Sequence, residues 1–201
     1  MDRRLAVILA VCILEAGFRI LSGPLGVDGL TYTLVARLVE MALILVFAFR
    51  VCGVIAPSLY REICIGIAAA AAFGALAIVV DLLSRPFTGG GLLAMVLVRQ
   101  PLDRWMLYLV TACIVGPFVE ELFFRGMLYQ WMRSGMAAWL CIVLTSVLFA
   151  SMHGRISVVQ LTGGILFASL YEWRRSIWAS FVLHALANAG LWVMPFVHPL
   201  M

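Results

Sequence analysis

Apolar stretches, most of them long enough for a transmembrane helix, follow one another along almost the whole chain, near 5–21, 30–49, 63–83, 105–130, 137–153, 157–172 and 177–196. About 20 apolar residues in a helix cross the ~30 Å hydrocarbon core of a bilayer. Lipid offers no hydrogen bonds, so each such segment has to satisfy its backbone N–H and C=O groups internally, and a series of them folds as a helix bundle. Hydrophobic residues make up 65% of the 201 positions and charged residues only 12%, and the mean hydropathy is +1.10. No stretch has the makeup of a separate soluble domain. The expected fold is all-α, a polytopic transmembrane bundle of about seven spans (six to eight), with residues 1–201 as a single integral membrane domain.

Three places interrupt the pattern. Met1-Asp2-Arg3-Arg4 followed by Leu5 to Ile13 begins as a signal peptide does, but Glu15 and Arg19 come next where a small-residue cleavage site would stand, so it is taken as the first span. The second segment carries Arg37 and Glu40. Between 85 and 104, Arg85-Pro86 and Gly89-Gly90-Gly91 break helix before the short apolar run from Leu92 to Val98, which is expected to lie at the interface or re-enter the membrane.

All 14 basic residues are arginine. They are spread one or two per loop, the distribution of topology determinants and not of a nucleic-acid surface. A cytoplasmic N-terminus places Arg3, Arg4, Arg50, Arg61, Arg133, Arg174 and Arg175 inside, against Arg85, Arg99, Arg104 and Arg155 outside. Cys12, Cys52, Cys64, Cys113 and Cys141 lie in apolar segments without CxxC or CxxH spacing, and read as small buried hydrophobes with no ligand or disulfide role.

Within the fourth segment stands Val119-Glu120-Glu121-Leu122-Phe123-Phe124-Arg125-Gly126. A charge at the bilayer centre costs at least ~2.5 kcal/mol, so three such groups in six residues need a functional reason. Glu121 and Arg125 are four apart, acid first, as an ion pair on one helical face requires. Glu120 is rotated about 100° from Glu121 and has no arginine on its own turn, which makes it the candidate general base and Glu121 the structural acid. Arg37 with Glu40, and Arg19 with Glu15, are spaced to neutralise each other. Two later segments carry Phe149-Ala150-Ser151-Met152-His153 and His184-Ala185-Leu186-Ala187-Asn188, where His184 and Asn188 share a face. Gly116-Pro117 is expected to kink the fourth helix just before the carboxylates, and Gly163-Gly164 to pack helices closely.

Glu-Glu-x-x-x-Arg, then Phe-x-x-x-His, then His-x-x-x-Asn, in that order over about residues 117–190, resemble the three motifs of the CAAX-protease and bacteriocin-processing (CPBP, or Abi) family of intramembrane proteases, which includes the Rce1-type prenyl protease. The Phe124-Arg125-Gly126 continuation accompanies the double glutamate in that family. The resemblance places the protease core at about 105–196. It implies an intramembrane endopeptidase in which Glu120 and His153 activate a water while His184 and Asn188 bind the developing oxyanion. Glu121 and Arg125 would hold the fourth helix and keep Glu120 aimed, and Phe149 would pack against the site. No metal is expected. Zinc held by Glu120, His153 and His184 is the alternative, although no His-Glu-x-x-His helix is present and Asn188 is a poor zinc ligand.

Aspartyl and serine chemistries lack their motifs: there is no Gly-x-Gly-Asp, and Ser151 has no Gly-x-Ser-x-Gly setting. A transporter would show inverted repeats, and none is apparent. A noncatalytic membrane scaffold or immunity protein remains the competing class. The expected partners are the lipid bilayer and a membrane-anchored peptide or protein substrate, with no nucleic acid; the expected location is a bacterial inner (plasma) membrane, multi-pass.

Overall fold

Helix is the only regular structure among the described residues, as chains without water around them require. The computed structural model describes residues 2–22, 28–48, 58–88, 92, 103–153 and 158–197. Seven helices fall where the apolar stretches predicted them: α1 (Arg3–Ser22), α2 (Gly29–Ala48), α3 (Leu59–Thr88), α4 (Trp105–Arg133), α5 (Ala138–Ser151), α6 (Val158–Arg174) and α7 (Ile177–Val197). Four of them, α2, α3, α4 and α7, are long and apolar enough to cross a membrane. The triple glycine, most of the apolar run after it, and Cys52 lie outside the described residues.

Each boundary has a local cause. Asp28 caps α2, accepting from the Thr31 N–H at 3.0 Å and the Thr31 hydroxyl at 2.8 Å. These bonds hold its carboxyl below the usual carboxylate range. Helix α6 ends where Arg175 turns to φ 53°, its N–H donating to Tyr171 O at 2.7 Å, so that only Arg175 and Ser176 separate α6 from α7.

Helix α4 is the axis. Half of its central window is buried, against 6% for α3, and it touches α1, α2, α5, α6 and α7. Helix α3 stands on the outside against α7. Its outward side chains, among them Leu76, Leu82, Leu83 and Phe87, are exposed as a lipid-facing surface would be. Two cysteines depart from the expected burial: Cys12 and Cys64 are exposed, while Cys113 and Cys141 are buried, and all four are free. A thiol is apolar enough to face lipid as readily as core.

Apolar side chains gain little by leaving lipid for another helix, so association depends on close approach and polar pairs. At Gly66 an added Cβ would stand 2.6 Å from Val182 Cβ and 2.8 Å from Ala179 O, which brings α3 backbone against α7. At Gly164 it would meet Ser146 Cα at 3.0 Å, joining α5 to α6 as the Gly163-Gly164 pair predicted. Ion pairs bind one end of the bundle: Arg174 to Glu62 at 2.8 Å, and Arg133 and Arg175 to Glu172 at 3.3 and 2.7 Å.

Replacing Gly66 with leucine drives a side chain into the α3–α7 contact. Overpacking of this kind costs about 1–3 kcal/mol, and a lowered melting temperature of the detergent-solubilised protein checks it; a melting temperature equal to the parent's would show that α3 does not need this approach.

Candidate active site

Pro117 has no N–H to complete a regular α turn inside α4. The helix widens instead: Leu109–Val115 and Leu122–Tyr129 are π-helical, on either side of an α-helical Gly116–Glu121. The Gly116 N–H reaches back five residues to Thr111 O. A Cβ on Gly116 would lie 2.7 Å from that same oxygen, so only glycine fits. The glycine and proline follow directly on the first of two widened stretches that flank the carboxylates, a feature that recurs at functional sites.

Glu121 and Arg125 are both fully buried. Their closest atoms, Nε and Oε2, are 3.3 Å apart, an ion pair without hydrogen-bond alignment. Arg125 Nη2 donates to Gly164 O at 3.0 Å, and the rings of Phe124, Phe149 and Phe167 surround its guanidinium at 5.4–5.7 Å. The other oxygen of Glu121 lies 3.0 Å from His184 Nδ1. Glu121 thus joins α4 to α7 and aims the imidazole. His184 stacks on Phe167 at 4.3 Å and meets Phe149 edge-on at 5.6 Å, so Phe149 packs against the site as expected.

This arrangement turns His184 Nε2 toward Glu120, 3.8 Å from its Oε2. The other Glu120 oxygen stands 3.7 Å from Arg37 Nη2 on α2. Both distances exceed a hydrogen bond, so the two oxygens remain available to a water between the Arg37 guanidinium and the His184 ring. Glu120 is 16% exposed, into a cavity of about 660 Å³ that His153, His184 and Asn188 also line. His153 Nδ1 lies 2.8 Å from Phe149 O; a carbonyl only accepts, so Nδ1 carries the hydrogen and Nε2 keeps its lone pair. Asn188 Nδ2 donates to Ala112 O at 2.7 Å, fastening α7 to the widened turn of α4. One N–H of the amide is used there and the second is not engaged by that bond.

The cavity therefore gathers all four residues that the three motifs singled out. It also contains two that the motifs left out. Arg37 and Glu40 line it from α2. Their predicted pairing exists, at 2.6 Å, as does Arg19–Glu15 at 3.0 Å, but Arg37 reaches further, to Glu15 at 3.3 Å and to Glu120. The available signal was two charges three residues apart inside an apolar segment. Among the described residues no three His, Cys, Asp or Glu side chains are grouped closely enough to hold a metal ion.

Residues 102–190 match the family model described as type II CAAX prenyl endopeptidase Rce1-like. That segment belongs to the Rce1-like family. It contains the Glu120, His153, His184 and Asn188 positions and the whole of α4, α5 and α6, so the match takes in the part of the cavity wall that carries these four residues. No curated protein and no solved structure matches the chain. The matched segment and four apolar helices of crossing length mark an integral membrane protein that carries a protease segment of the CAAX type.

Substituting Arg125 with methionine leaves Glu121 buried beside no cation. Breaking a buried pair from one side costs about 3–5 kcal/mol, and the variant is expected to melt well below the parent in detergent; an unchanged melting temperature would show that the aromatic shell alone keeps α4 in place.

Proposed function

We propose that this protein is an intramembrane endopeptidase that cuts a peptide bond of a membrane-anchored chain with a water activated by Glu120 and His153. The observation that carries this reading is the setting of Glu120, a partly exposed carboxylate between Arg37 and His184 on the wall of a cavity shared with His153 and Asn188.

In this mechanism Glu120 takes a proton from a water in the cavity, and the resulting hydroxide attacks the carbonyl carbon of the scissile bond. His153 holds the same water through the Nε2 lone pair that its bond to Phe149 O leaves free. As the carbonyl oxygen gains negative charge, the second N–H of Asn188 donates to it, and His184, in the doubly protonated form that keeps Nδ1–H on Glu121, donates from Nε2, acting where charge forms only in the transition state. Glu120 then passes its proton to the leaving nitrogen as the C–N bond breaks. Glu121 keeps its contact with His184 Nδ1 throughout and so fixes the direction of Nε2. No step passes through a metal.

The lining of the cavity supports the substrate class. Apolar side chains such as Leu30, Phe73, Val158 and Met194 form most of its wall around the few polar groups, which suits a chain that arrives with a lipid or hydrophobic segment attached. A prenylated C-terminal tail is the form of such a substrate that the family description names.

The test is cleavage of membrane-anchored reporter peptides, prenylated tails included, by the purified protein and by Glu120→Ala, each with and without a zinc chelator. Cleavage that survives chelation in the parent, with activity at least about 100-fold lower in the variant, is the expected result. Loss on chelation that zinc restores would revive the metalloprotease, and equal cleavage by the variant would overturn the role of Glu120.

A further inference from the structure

Arg37 lies outside the matched segment of residues 102–190, yet at 3.7 Å it stands as near to Glu120 as His184 does at 3.8 Å. Its guanidinium divides its work by edge. Nη1 binds Glu40 at 2.6 Å and Glu15 at 3.3 Å, two carboxylates from α2 and α1. Nη2 is turned the other way, to Glu120 Oε1 at 3.7 Å. Glu40 is itself buried, and Glu15 is held from its far side by Arg19 at 3.0 Å. The head of Arg37 is thus fixed along one edge by two acids of the N-terminal helices, and the edge left over faces Glu120.

We propose that Arg37 is a positioning residue for the hydrolysis. It supplies the counter-charge that keeps the Glu120 carboxylate at the cavity wall with both oxygens open to water, and it makes α1 and α2 part of the active centre. The inference rests on the protease reading above. A rigid fork is needed for this. A lysine ammonium is a single point of charge and serves either the Glu15–Glu40 side or Glu120, while the planar guanidinium serves both. Around Glu120 the charged and titratable groups are Arg37 with Glu40 and Glu15 behind it, His184 across the cleft, Glu121 and Arg125 on its own helix, and His153 on the cavity wall. Arg125 already has Glu121 as its partner, and its guanidinium is enclosed by rings, which leaves Arg37 as the arginine that faces Glu120 across the cavity.

The experiment measures kcat and KM on a cleaved reporter peptide together with the melting temperature, for the parent, Arg37→Lys, the double variant Arg37→Gln/Glu40→Gln, and Glu120→Gln. The double variant removes the buried acid along with its cation, so that no unpaired charge is left behind to unfold the bundle. With Glu120 no longer held, its kcat is expected to fall about 100-fold, the effect of a displacement of about 1 Å in a catalytic group, with KM within about threefold because Arg37 does not hold substrate. Arg37→Lys keeps the charge but loses the second edge, and its kcat is expected to fall about tenfold at parent KM and parent melting temperature. A folded variant of either kind with the parent's kcat, or a loss that appears in KM alone, would overturn the proposal; if the double variant does not fold, Arg37→Lys decides by itself. Should Glu120→Gln cleave as well as the parent, the protease mechanism fails and not this inference alone, whereas an inactive Glu120→Gln beside a fully active Arg37 variant sinks only the positioning role.

Discussion

A full positive charge shut away from both water and lipid headgroups sits in the middle of this bundle, and most of the site is arranged around it. Arg125 is fully buried, paired with Glu121 and ringed by Phe124, Phe149 and Phe167. In a low-dielectric interior an unpaired guanidinium would be intolerable, so the acid, the rings and the Gly164 carbonyl have to be present together. Each of those partners comes from α4, α5 or α6. Satisfying one charge therefore fixes three helices, and the second oxygen of Glu121 extends the same constraint to His184 on α7. The imidazole is oriented as a by-product of burying an arginine.

The first two helices complete the site by another route. Neither belongs to the matched segment, but Glu15 from α1 and Glu40 from α2 meet at Arg37, which looks across the cavity at Glu120. The bundle thus holds two arginines with acids of their own, Arg125 with Glu121 in the matched segment and Arg37 with Glu15 and Glu40 in the N-terminal helices, and it is Arg37 that faces Glu120. That separation lets the interior of α4 be built for stability and the cavity wall for chemistry without one arginine serving both ends.

The sequence and the structure agree most closely where the physics is local. Apolar run length placed all seven helices, since helix is the only open-ended way for such a run to satisfy its backbone in lipid. The four-residue spacings of Glu121–Arg125 and His184–Asn188 put each pair on one face, and the motif order brought Glu120, His153, His184 and Asn188 to one cavity. Contacts made across the bundle were out of reach. Nothing in the spacing of Arg37 and Glu40 says that the arginine continues to a carboxylate some eighty positions later in the chain. The π-helical turns were equally hidden, because Gly116-Pro117 signals a disturbed helix without saying whether the chain bends or widens. Cysteine burial failed for a simpler reason: in a membrane protein an apolar position may face inward or toward lipid, and hydropathy does not distinguish the two.

Helix α5 has 14 residues. At about 1.5 Å per residue it is about 21 Å long, short of the ~30 Å hydrocarbon layer. His153 follows directly on its C-terminal end, and the first turn of α6 lines the cavity beside it. A helix of that length does not carry both of its ends to the two faces of the layer, so at least one end of α5 stops at a depth where the longer helices still run through hydrocarbon. On the mechanism proposed above, the early end of α5 beside His153 is where water enters the cavity that Glu120 lines.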